Sequence, residues 1–278
     1  MKKIAYTAVA TALALTLAAC EKQGSTGEAP AAEAAAGDVL GGTWKADLAS
    51  VKFEGRPDEH ILQGGTYKCN SCIPPLTVAA DGQFHPVADR PYYDSMSVKA
   101  ADERTIEIHR RKGDKEVSST TLQVSEDGNT LNIKFTDATT PNAPAVEGTT
   151  TAKRAGPAPA GAHASSGQWL PDRLQDYSDD ALNVTFRMEG DKVTSEFQGQ
   201  SYTAEIGGPA VAITGDTGGT TVAVAREGAN GLRETYTRGG KEVGVTIILP
   251  GADGKTLSVT NTDPRNGTKT SWTAAKAS

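Results

Sequence analysis

Little in this sequence is of the kind that enzymes are built around. Three cysteines and four histidines occur in 278 residues, and no second C-x2-C or H-x3-H closes a zinc site with them. A nucleophile elbow of the G-x-S-x-G type, a phosphate-cradling P-loop and an H-E-x-x-H zinc helix are all missing. Sustained helical periodicity is missing too, so the fold is expected to be built from strands. Aromatic residues make up 5% of the chain, which leaves little material to line a large apolar pocket. The net charge is −6, which argues against nucleic-acid binding. No enzyme activity, cofactor or metal is expected from this inventory.

What is present starts with "MKKIAYTAVATALALTLAAC". Lys2 and Lys3 precede an apolar run, 4–19, that is too short and alanine-rich to span a bilayer and reads as an export signal. Its end, Leu17-Ala18-Ala19-Cys20, resembles the lipobox of bacterial lipoproteins. That resemblance implies cleavage after residue 19 and acylation (palmitate included) of Cys20, which would anchor the protein in the membrane of the cell envelope. Two or three acyl chains hold stably where one does not, at about 0.8 kcal/mol per buried methylene. Glu21 follows, where an aspartate tends to retain the lipoproteins of enteric bacteria in the inner membrane. Its absence implies an outer-membrane location facing the periplasm. The segment 20–40 is small and polar, a lipidated flexible tether.

The rest divides at an internal repeat. "GTWKAD" at 42–47 is echoed by "GQWLPD" at 167–172, "GDKEV" at 113–117 by "GGKEV" at 239–243, and "DGNTL" at 127–131 by "DGKTL" at 253–257, always 125 or 126 residues on. Between the copies lies "AGPAPAGAHASS", 155–166, of linker composition. The expected division is β domain 1 over 41–154, a linker over 155–166 and β domain 2 over 167–278.

Each copy alternates with period two. In "LNVTFRM" Leu182, Val184, Phe186 and Met188 fall on one face. Further strands are expected near 201–206, 220–226, 232–238, 242–249, 256–262 and 269–275, while "PDRLQDYSDD" at 171–180 has room for one helical turn. Such spacing predicts an all-β chain of two tandem antiparallel domains, each a sandwich or a small up-and-down barrel. The opening "GTWKADLASVKF" with the late "DGNTL" resembles a group of uncharacterised secreted bacterial β domains that open G-T-W-K. A tryptophan just after a glycine in the first strand is also similar to lipocalin-like barrels. Neither resemblance carries an activity.

"YKCNSC" at 67–72 is the stretch nearest to chemistry. With Cys20 given to the lipid, Cys69 and Cys72 are an even pair in an oxidising compartment, so a disulfide is their expected state. A thiol–disulfide oxidoreductase would place the first cysteine at a helix N-terminus. Here Pro74 and Pro75 follow at once and cannot continue a helix. His60 and His85 sit at no regular metal spacing, and Ile73 stands where haem attachment needs histidine. A local staple is the favoured reading, present in the first copy and absent from the second.

Other candidates have structural explanations. "HRRKGDK" at 109–115 reads as a solvated hairpin tip, "DYSDD" at 176–180 as an acidic turn, and Tyr92 and Tyr93 as one core and one surface side chain. Trp44 and Trp169 hold equivalent repeat positions, which points to the base of each core. The function expected is non-catalytic: docking an envelope protein or surface partner, or a structural role. Carriage of a small apolar ligand or lipid, and thiol exchange at Cys69 and Cys72, are the alternatives.

Overall fold

The structure, a computed structural model, describes residues 39–277. The expected signal peptide (1–19), the lipidation site Cys20 and most of the expected tether lie outside the described residues. The last tether residue, Leu40, does not behave as tether: it is fully buried, because its carbonyl accepts the Trp44 indole N–H at 2.8 Å.

The fold is all-β. The first half supplies β1 (Gly42–Ala46), β2 (Lys52–Glu54), β3 (Asp58–Gln63), β4 (Thr66–Cys69), β5 (Leu76–Ala79) and β6 (His85–Pro86). Longer strands follow: β7 (Ser95–Ala100), β8 (Thr105–Lys112), β9 (Lys115–Val124), β10 (Thr130–Asp137) and β11 (Val146–Gly156). The second half begins with β12 (Gly167–Tyr177), β13 (Asn183–Glu189), β14 (Lys192–Phe197), β15 (Gln200–Glu205) and β16 (Val211–Ala212). It continues with β17 (Thr220–Glu227), β18 (Gly231–Arg238), β19 (Lys241–Pro250), β20 (Thr256–Asp263) and β21 (Thr268–Lys276). The strands expected from alternation match β13, β15 and β17 to β21. The stretch 171–180 differs: its first part is strand β12, and the only helical turn there is a short 3-10 turn, Asp179–Leu182.

Two antiparallel sheets result, each curled until it nearly closes. One runs β5-β4-β3-β12-β11-β10-β9-β8-β7-β6, and the other β15-β14-β13-β1-β21-β20-β19-β18-β17-β16, with β2 also paired to β21. Isolated bridges draw the free edges together, Asp81 to Lys99 in the first barrel and Ile206 to Val224 in the second. Each barrel encloses its own core, one around Trp169 and one around Trp44.

The two opening strands are exchanged. Strand β1, which starts the first repeat, lies in the second barrel between β13 and β21, with Trp44 opposite Val184 and Lys276. Strand β12, which starts the second repeat, lies in the first barrel between β3 and β11. The sheets therefore do not follow the contiguous division at 154 and 167. The connections from β1 to β3 (47–57) and from β11 to β12 (157–166) are of nearly equal length, so loop closure does not favour the exchange. With β12 in the first barrel, the equivalent gap in the second barrel is left for β1. The stretch expected as a linker is tied down at its end, where Ser165 and Ser166 are completely buried. The Leu62 N–H donates to Ser166 Oγ at 2.9 Å, and Arg154 donates to the Ser166 and Ala164 carbonyls at 2.8 Å each.

The tryptophans cap both barrels in the same way. Trp169 donates to the Ser165 carbonyl at 2.8 Å, as Trp44 does to Leu40, again four residues back. A cation lies over each ring: Arg154 at 4.0 Å from Trp169 and Lys276 at 5.3 Å from Trp44. Equal plugs make either opening strand fit either slot.

Candidate functional site

The two barrels differ inside. In the first, Tyr67, Met96, Val98, Ile106 and Ile108 form a core in which each is at most 5% exposed. The second holds a cavity of about 360 Å³, within the range of small-molecule sites, about 300–1,000 Å³. Its wall comes from inward positions of neighbouring strands, Val184 and Phe186 of β13, Phe197 of β14, Ile248 of β19, Val259 of β20 and Trp272 of β21. The exchange contributes too, since Leu48 and Val51 after β1, and Leu174 and Tyr177 of β12, line it as well. The few aromatic residues are thus concentrated: Tyr177, Phe186, Phe197, Tyr236 and Trp272 all face this space.

One carboxyl interrupts the apolar wall. Glu234 of β18 lines the cavity and is 4% exposed. Tyr236 Oη donates to one of its oxygens at 2.6 Å, and Tyr202 Oη of β15 donates to the other. Burial pushes the Glu234 carboxyl above the usual carboxylate range, and the two hydroxyl donors oppose that only in part. Burial and the neighbouring carboxyl push both phenols up. A second space of about 320 Å³ adjoins, sharing Phe197, Tyr236 and Thr246 with the first. There Tyr92 reaches across from the first half of the chain, donating to Asp216 at 2.9 Å and accepting from Arg238 at 2.6 Å.

Sequence reasoning missed Glu234, Tyr202 and Tyr236. The signal was the phase of "LRETYTR": Leu232, Glu234 and Tyr236 share a face. Arg233, Thr235 and Thr237 on the other face made neither side read as buried.

The residues singled out from the sequence do not converge on the cavity. Cys69 and Cys72 form a disulfide. Cys69 ends β4 facing the first core at 8% exposure, at a strand end rather than a helix N-terminus. The basic run is only partly a free tip: the Arg111 guanidinium covers the Phe84 ring at 3.7 Å, and His109 pairs with Glu116 at 2.9 Å. In the acidic stretch Asp179 pairs with Lys45 and Tyr177 packs on Phe135. No group of three or more metal-binding side chains occurs among the described residues. His85 pairs with Asp81 at 2.8 Å, whereas His60 is buried against Tyr67 with ring centroids 5.9 Å apart. Tyr93 packs on the first core while Tyr92 leaves it, so the adjacent tyrosines do face different ways.

No family model matches this chain, and no curated protein matches it. Among solved structures, a DUF4623 family protein from Bacteroides eggerthii is similar over 84% of this chain and 77% of its own, at 9% identity and a TM-score of 0.15. A likeness that low carries no argument about fold or function.

Proposed function

We propose that this chain is a non-catalytic binding protein of the bacterial envelope, held by an acylated Cys20, and that its second barrel carries a small, mostly apolar molecule. The hollow in the second barrel carries this reading. Packing alone would have filled it, since an empty space of this size forfeits contacts throughout its wall. The anchor rests on the lipobox resemblance. The staple reading of Cys69 and Cys72 is supported by their packing against the first core, away from the cavity of the second barrel. Docking of an envelope protein remains compatible with a carrier that delivers its cargo.

N-phenyl-1-naphthylamine, an apolar probe uncharged at neutral pH, tests the cavity. Saturable fluorescence enhancement is expected with the intact protein. The double variant Val259→Phe, Ala274→Phe, which fills the hollow from β20 and β21, should weaken it about tenfold or more while keeping the β-sheet circular dichroism. Enhancement that is absent, or unaffected by the filling, would overturn the reading.

A further inference from the structure

We infer that the molecule held in the second barrel is a small hydrophobic cation, a protonated amine on an apolar body, with Glu234 as its counter-charge; this rests on the cavity being a binding site. Every formal charge that lines the space is negative. Of the residues around it none is Lys, Arg or His, and Glu234 is the one carboxyl. A buried carboxyl costs desolvation that an apolar residue in its place would not. The repeat shows what that apolar residue is. Strand pairings place Glu234 opposite Val224 and Thr246, and Ile108 opposite Val98 and Thr120, each partner 126 residues apart. In the first barrel, then, isoleucine stands where the second has glutamate.

The hydrogen bonding leaves room for a third donor. A carboxylate offers about four lone-pair sites, and Tyr202 and Tyr236 take one on each oxygen. An ammonium can supply the next donor and the balancing charge together. Aromatic rings around the same space favour a cation over their faces. In the first barrel the chain supplies a cation of its own close by, with no carboxylate beside it among the described residues. Two residues along from Ile108, Arg110 lies 5.5 Å from the Tyr93 ring and donates to Ser118 and Thr120. The matching position in the second barrel is Tyr236, paired with Gly244, and it brings no cation. A second carboxylate beside Glu234 would be repelled, so fatty acids and other anions are disfavoured.

Three probes of one shape and different charge decide the matter by calorimetry at neutral pH: 2-phenylethylamine, 2-phenylethanol and 3-phenylpropionate. The amine should bind about tenfold or more tightly than the alcohol, a hydrogen bond to a charged partner being the stronger kind, and the acid most weakly. In Glu234→Gln, and in Glu234→Ile, which copies the first barrel, the amine should lose that advantage. An alcohol that binds as well as the amine, or an advantage that survives both substitutions, would overturn the cation assignment. The naphthylamine result would stand in either case, because it reads the cavity and not its charge. Loss of that signal as well would remove both readings.

Discussion

His60 is a single residue on which much of the acid sensitivity of the first barrel rests. Its ring is 6% exposed, its Nε2 has no hydrogen-bond partner among the described residues, and desolvation is the main cause that lowers its pKa from 6.5 to about 4. His163 and Arg154 push in the same direction, and a hydrogen bond to the Ser165 backbone opposes them. Between those two values the unfolded chain binds more protons than the folded one, so stability rises with pH across the window. The contribution is present in full above about pH 6.5 and is lost as pH falls through 4. At about 1.36 kcal/mol per pKa unit it amounts to about 3 kcal/mol. His60→Phe keeps a ring against Tyr67 and removes the titration. Urea unfolding at pH 7 and pH 4.5 should show the variant losing about 2 kcal/mol less than the parent over that interval. An equal loss in both would mean that the carboxyls dominate there.

At the scale of elements, the alternation within each strand was legible and the partner of each strand was not. "LNVTFRM" fixes which side of β13 faces inward, because one phase is wholly apolar. Nothing in "GTWKA" says whose core receives Trp44, because "GQWLP" offers the same plug to the same kind of slot. The cavity was illegible for a related reason. Glu234 reads as an exposed charge until the strands on either side show that its neighbours Val224 and Thr246 are in contact with the core. The low aromatic content misled as well, because a few rings gathered on one space are enough to line it. The exchange makes a sharp prediction: Trp44→Ala, in the first repeat, should destabilise the second barrel by about 3–5 kcal/mol, the usual cost of truncating a buried tryptophan. Hydrogen exchange should then speed up in β13 and β21 while β8 to β10 stay protected. Faster exchange confined to β3 and β11 would contradict the observed pairing.

For the whole molecule, exchange of opening strands means that neither half of the chain is a complete domain. A cut in the exposed part of the connection, between Pro159 and Gly161, leaves one fragment holding β1 to β11 and another holding β12 to β21. Each fragment then keeps a strand inside the barrel built mainly by the other. The nicked protein should migrate as one species on size exclusion at micromolar concentration and separate only in denaturant, whereas two self-contained repeats would come apart on cutting. The same arrangement sets an order of events as the chain emerges from its N-terminus. The first barrel can close once Tyr177 has emerged. Strand β1 arrives before any other, yet its neighbours β13 and β21 come 140 and 232 residues later, counting from Trp44 to Val184 and to Lys276. Its apolar face and unpaired backbone must therefore wait through almost the entire emergence of the chain, and the strand that appears first is among the last to find its place.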